Sequence, residues 1–108
     1  MTVYVYQTFE IKQENFSEAL QNIKDIQKFR NEHYDQKVEI LAPVSGDDFK
    51  YVLFSTFEGL AEMELQNKKM YEDEEFTKLI SEFVMENIVQ GSLSTQIFRS
   101  MPLLKLEE

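Results

Sequence analysis

The sequence of 108 residues contains no cysteine, no tryptophan and a single histidine, with only three glycines and two prolines. Without cysteine there is no disulfide, thiolate ligand or thiol nucleophile, which fits a reducing compartment, and we expect the cytoplasm. Basic residues are also scarce, 11 against 20 acidic ones, for a net charge of −9. Because no strand or helix carries a stripe of lysine and arginine, nucleic acid and anionic membranes are poor partners.

Long apolar runs are absent as well, and the chain begins directly with strand-like residues rather than a basic segment followed by an apolar one. We therefore expect neither a membrane-spanning helix nor a signal peptide. Hydrophobic residues are abundant: they make up 43% of the chain, and 13% of the chain is aromatic, which is enough to form a hydrophobic core. At this length we expect one core and one domain over residues 1–108.

The strand patterns are apolar on both faces. Residues 2–12 and 49–57 alternate in a way that leaves neither face polar, whereas the helices are apolar on one side only. A first helix follows Asn15, which we expect to cap it in a capping box with Glu18. Near its end, Arg30 and His33 stand where the helix dipole favours cations.

Residues 37–44 and 49–57 form a predicted hairpin around the polar turn 45–48. A second helical region follows Gly59 and bends near Glu72, where Asp73 is a fresh N-cap. The last predicted strand covers residues 93–101 and ends at Pro102. The order is βαββαβ, an α+β, ferredoxin-like fold with a split second crossover helix.

A single sheet with helices on one side would leave its other apolar face bare. The sequence therefore predicts a homodimer formed through that sheet face. The tail, residues 102–108, is apolar for a chain end, and we expect it to pack, with the partner chain as one candidate.

Few residues are suited to catalysis or to metal binding. His33 is the one histidine and a weak candidate for a general base, although an exposed cation at a helix end is the more common role. The acidic run 72–75 points in four directions on a helix, so capping is favoured over a metal site. We expect no metal and no cofactor.

Two amides on otherwise apolar faces, Gln7 and Asn67, are better candidates, because each must find a hydrogen-bonding partner. With Tyr71 they would suit a flat, apolar ligand that carries a few oxygens. The alternative is that each amide bonds neighbouring backbone or a buried water. Arg99 remains open between pairing with an acid in the sheet and neutralising an anionic ligand.

Residues 57–60, 70–79 and 92–98 resemble the dimeric α+β barrel superfamily, which includes antibiotic-biosynthesis monooxygenases, NIPSNAP-type proteins and haem-degrading monooxygenases. The resemblance implies two four-stranded sheets that close into a barrel, with a pocket in each subunit between its sheet and helices. It implies that Gln7 and Phe57 face the pocket. It also implies that four residues lie in the dimer core: Tyr4, Tyr6, Val52 and Phe54.

The resemblance does not extend to haem degradation. Where the haem-binding members carry their ligand histidine, this chain has Phe76, Leu79 and Ile80, and Phe57 stands where some members use tryptophan.

Two functional hypotheses remain, and catalysis stays open between them. The first is a homodimer that binds a small apolar or aromatic ligand through Gln7, Phe57, Asn67 and Tyr71. The second, implied by the resemblance, is a cofactor-independent monooxygenase, whose base would be His33 or a carboxylate with a raised pKa.

Overall fold

The computed structural model describes residues 1–102, so the predicted tail lies outside the described residues from residue 103 onwards. The described elements are β1 (Val3–Glu10), α1 (Phe16–His33), β2 (Lys37–Leu41), β3 (Lys50–Phe57), α2 (Leu60–Glu72), α3 (Glu74–Glu82) and β4 (Ser94–Arg99). A short 3₁₀ turn precedes α1 and a π turn follows α3. The predicted βαββαβ order and the α+β class are confirmed.

The four strands form one antiparallel sheet in the order β2-β3-β1-β4. The predicted hairpin is confirmed, although β2 ends at Leu41 rather than at Val44. The strands β1 and β3 lie at the centre, where Tyr6 pairs with Phe54 on one side and with Gln96 on the other. This register fixes which side chains share a face.

One face of the sheet carries the core. Phe9 and Leu53 are buried there against Ile23 and Ile26 of α1 and against Phe76 of α3. Burial of this apolar stripe accounts for most of the stability of the helices, because helices in proteins are stabilised mainly by tertiary packing of an apolar face. None of the helices within residues 1–102 has the length and the apolar character needed to cross a bilayer.

The opposite face of the sheet is also apolar. The ring of Tyr6 lies 4.7 Å from that of Phe54 and 5.4 Å from that of Phe98, and Tyr4 stacks on Phe54 at 5.8 Å. Only sheet residues line the shallow groove on this face in the described part of the chain. Phe98 is 48% exposed. The predicted two-sided strands are confirmed.

The predicted capping box at α1 is wrong. The helix does follow Asn15, but the Asn15 side chain makes no cap hydrogen bond. The chain enters α1 through the 3₁₀ turn Gln13–Asn15, and Asn15 Nδ2 donates instead to the carbonyl oxygen of Glu86 at 3.0 Å. The side chain thus joins the start of α1 to the π turn Phe83–Asn87.

The predicted bend in the second helical region is confirmed at Asp73. Its carboxylate accepts hydrogen bonds from the backbone N–H groups of Glu75 and Phe76, which caps α3. The Tyr34 hydroxyl, just beyond α1, donates to Asp73 Oδ2 at 2.7 Å. This hydrogen bond, with the two from the backbone, lowers the pKa of Asp73.

We predict that Tyr34→Phe destabilises the protein in a pH-dependent way. A carboxyl whose folded pKa is lowered stabilises the fold above its unfolded pKa of about 3.9 and loses that contribution as the pH falls through the folded value. Because the variant returns the pKa of Asp73 towards its usual value, it should be less stable than the wild type at neutral pH. The difference should shrink in acid.

Urea unfolding of both proteins at neutral and acid pH measures this. Tyr51→Phe is the matched control, since the Tyr51 hydroxyl has no hydrogen bond to another described side chain or backbone group. If the loss of stability in Tyr34→Phe did not change with pH, the Tyr34 hydrogen bond would not be what lowers the pKa of Asp73.

Candidate ligand-binding site

A cavity of about 210 Å³ lies between the sheet and the pair α2 and α3. Its walls are mostly apolar. Those from the sheet and from the segment just before β4 are Val5, Phe9, Leu53, Phe57, Leu93 and Ile97; those from the helices and the π turn are Met63, Met70, Phe76, Ile80, Phe83 and Val84. The polar side chains at its surface are Gln7, Arg30, Asn67, Tyr71 and Thr95.

All four residues predicted to bind a ligand line this one cavity: Gln7, Phe57, Asn67 and Tyr71. Phe57 is buried, whereas Tyr71 is 74% exposed and lies at the mouth. Strand alternation on β1 and β3 brings Gln7 and Phe57 to the helix-covered face, and helical spacing brings Asn67 and Tyr71 to one side of α2.

The alternative for the two amides was a bond to neighbouring backbone or to a buried water. The bond to backbone is not seen within residues 1–102, and the bond to a buried water stays a prediction. The Asn67 side chain has no protein partner there, and Gln7 has one weak contact, in which its Oε1 lies 3.5 Å from Arg30 Nη1. No described side-chain nitrogen or oxygen is both sealed from solvent and without a partner. The unpaired amide atoms of Gln7 and Asn67 are therefore accessible to solvent, and both residues line the cavity.

Arg30 is a site residue that the sequence analysis missed. Its side chain is only 5% exposed. Its Nη2 donates to Gln36 Oε1 at 2.6 Å and to Ser55 Oγ at 2.9 Å, and its Nε donates to Gln36 Oε1 at 3.2 Å. These contacts fix the guanidinium between the end of α1 and the centre of β3.

Among the described residues, the acceptors around Arg30 are all neutral. The one ion pair within residues 1–102 joins Lys37 to Glu39 at 3.3 Å and does not involve Arg30. Burial lowers the pKa of the Arg30 guanidinium to about 10, against a smaller opposite effect of Tyr71. At neutral pH the group still carries its full charge, inside a mostly apolar site.

A signal for Arg30 was present in the sequence. Ala19, Ile23 and Ile26 are buried on α1, and Arg30 continues their spacing of three and four residues. The sequence analysis had instead explained Arg30 as a cation that the helix dipole favours near the end of α1. The spacing of the apolar stripe predicts that Arg30 is buried, as the structure shows.

The other candidates lie outside the cavity. His33 is exposed, stacks on Phe29 at 4.1 Å, and hydrogen-bonds the Phe29 carbonyl oxygen through Nδ1 at 3.0 Å. Arg99 is exposed on β4 and is not among the lining residues. Within residues 1–102, no group of three or more histidine, cysteine or acidic side chains is arranged to hold a metal ion.

We predict that Ser55→Ala lowers the free energy of unfolding by about 1.5–3 kcal/mol, because it removes a buried hydrogen bond to a charged group. Ser55 is fully buried, so water cannot replace the hydroxyl. Urea denaturation measures the change, with the exposed Ser45→Ala as control, expected within about 0.5 kcal/mol of wild type. Equal stabilities for the two variants would show that Ser55 does not hold Arg30.

No protein-family model matches the chain, and no curated protein matches it by sequence. Solved structures do match in fold. An uncharacterised NIPSNAP domain protein from Burkholderia xenovorans superposes with a TM-score of 0.75 at 13% identity, over 97% of this chain and 99% of that one. A proposed antibiotic biosynthesis monooxygenase from Deinococcus radiodurans gives 0.73 at 12% identity, over 98% and 99%.

A conserved protein from Methanosarcina mazei gives a TM-score of 0.76 at 9% identity, over 94% of each chain. Identities this low carry information about the fold and not about the activity. The resemblance stated from the sequence is thus confirmed at that level: the chain has the ferredoxin-like α+β fold shared by these monooxygenase-like and NIPSNAP structures.

Proposed function

We propose that the protein is a homodimer that binds a small, largely apolar, ring-containing ligand in the cavity between its sheet and helices. The observation that carries this proposal is the set of polar side chains in a mostly apolar cavity: Gln7, Asn67, Tyr71 and Thr95. Among the described residues, only Gln7 of these four has a side-chain hydrogen-bonding contact, the weak one to Arg30. The cysteine-free sequence supports the cytoplasm as its location.

The size of the cavity supports a ligand of one or two fused rings. A dry cavity of about 150 Å³ is enough for benzene. The volume here is about 210 Å³, and aromatic and aliphatic side chains form most of the wall. A few polar groups among apolar walls are what orient small ligands in most binding sites.

The alternative, a cofactor-independent monooxygenase, requires a base beside the substrate. The described residues that line the cavity include no carboxylate, imidazole or thiol, and His33 lies on the surface. The fold likeness to a proposed monooxygenase is what supports this alternative. We therefore place ligand binding first.

The aromatic face of the sheet supports the homodimer. Tyr4, Tyr6, Phe54 and Phe98 form a continuous apolar patch across β3, β1 and β4. Contiguous exposed apolar patches of this kind mark interaction surfaces.

A second copy of the same chain is the partner that fits this patch. The centre of the patch is uncharged, and the neighbouring edge strand β2 carries Lys37 and Glu39, which are of opposite sign. A two-fold dimer places one surface against itself. Because the centre of the patch is uncharged and its edge carries one positive and one negative side chain, two copies can pack face to face without bringing like charges together.

We predict that Val84→Trp weakens binding of 2-naphthol, a neutral two-ring probe, by at least about tenfold, or about 1.4 kcal/mol. Val84 lines the cavity and is partly exposed, so a larger side chain there should narrow the entrance with little strain. Calorimetry measures the affinity. The control is Val44→Trp, at a fully exposed site, which should bind as the wild type does. If Val84→Trp bound 2-naphthol as tightly as the wild type does, the probe would not bind in this cavity.

We predict that Phe98→Glu converts the dimer to a monomer, because it would bury a carboxylate without a partner in an apolar interface. Light scattering coupled to size-exclusion chromatography gives the mass. Leu65→Glu, which also replaces an exposed apolar residue but on α2, should remain dimeric. A wild type that is monomeric at micromolar concentration would refute the dimer.

A further inference from the structure

The charge of Arg30 is not explained by a neutral ligand. Buried charged groups in proteins are normally paired with an opposite charge. Arg30 is 5% exposed, yet within residues 1–102 all its acceptors are neutral oxygens, from Gln36, Ser55 and Gln7. Within residues 1–102, Arg30 is therefore a desolvated positive charge without an acidic partner.

The unused part of the guanidinium is on the side of Gln7, which lines the cavity. Its Nε and Nη2 hydrogens are taken up by Gln36 and Ser55 at 2.6–3.2 Å. Its Nη1 has one contact, to Gln7 Oε1 at 3.5 Å, which is longer than the usual range of about 2.7–3.2 Å. The second Nη1 hydrogen has no acceptor among the described residues.

Gln7 adds a second donor at the same place. Both Gln7 and Arg30 line the cavity, and the amide nitrogen of Gln7 donates to no described group. Two neighbouring N–H groups that are free to donate, one of them charged, match the two oxygens of a carboxylate.

We propose that the ligand is an apolar, ring-containing monoanion, and that its carboxylate binds Arg30 Nη1 and the Gln7 amide at the inner end of the cavity. The inference deepens the proposed ligand-binding function and rests on it. Arg30 is the one cation among the described lining residues and has no acidic partner among them, which fits one negative charge. Phosphates and diacids would bring a second charge that no described lining residue neutralises.

The exposure of the lining residues sets the orientation of the ligand. Arg30 is 5% exposed and Tyr71 is 74% exposed, so the acid group lies inside and the mouth lies at Tyr71. The ring lies between them, against apolar side chains such as Leu53, Phe57 and Phe76. Asn67 and Tyr71 are left to bind a second polar substituent near the mouth.

The test compares 2-naphthoate with 2-naphthamide, which has nearly the same shape and no charge. Calorimetry at neutral pH should show that the wild type binds the acid about 10- to 100-fold more tightly, the effect expected of a hydrogen bond to a charged group. The neutral probe 2-naphthol, measured alongside, reports whether the cavity binds rings at all.

Two variants and one control assign the preference to Arg30. Arg30→Met should bind the acid no better than the amide. Gln7→Glu keeps the shape of the side chain and supplies an internal carboxylate for Arg30, so it should raise the melting temperature of the free protein and abolish the preference for the acid. Arg99→Met also removes one positive charge, but from an exposed site outside the cavity, and should keep the wild-type preference.

The outcomes separate this inference from the proposed function. If the wild type binds 2-naphthol but binds acid and amide equally, the anionic ligand is refuted and the apolar site stands. If the preference survives in Gln7→Glu, Arg30 is not the acid-binding group. If none of the three probes binds the wild type, the ligand-binding function fails, and this inference fails with it.

Discussion

The central strands β1 and β3 carry apolar side chains on both faces, and each face needs its own cover against water. Helices α1 to α3 bury one face, where Phe9 and Leu53 pack against Ile23 and Phe76. The other face, with Tyr6, Phe54 and Phe98, is left to the proposed second copy. Alternation with a period of two residues makes the two faces independent, so the core and the interface can be built from the same strands without competing for side chains.

The cavity follows from the way the helix-covered face is closed. The second crossover is split at Asp73, whose carboxylate caps α3 and accepts a hydrogen bond from Tyr34 at the end of α1. The cavity on this face is lined by Gln7 and Arg30 among other residues. A guanidinium held by Gln36 and Ser55, and by no acid among the described residues, makes this space suitable for an anionic ligand.

Much of this could be predicted from the sequence, because hydrophobic period and capping chemistry are local signals. They gave the element order, the bend at Asp73 and the faces on which Gln7 and Asn67 lie. Arg30 was missed because its charge was read through the helix dipole, while its place in the apolar stripe of α1 was the stronger constraint. The Asn15 cap failed for a tertiary reason, since its side chain bonds the backbone of Glu86, far away in sequence. The tail from residue 103 onwards lies outside the described residues, and its predicted packing stays a prediction.

Native mass spectrometry of the freshly purified protein tests the central claim most directly, because one spectrum reports both the assembly and any small molecule that purifies with it. The account predicts a species of twice the 12.8 kDa chain mass that carries an additional small organic acid. A bare monomer at micromolar concentration would contradict it, since both the aromatic sheet face and the cavity would then be without the occupants that we assign to them.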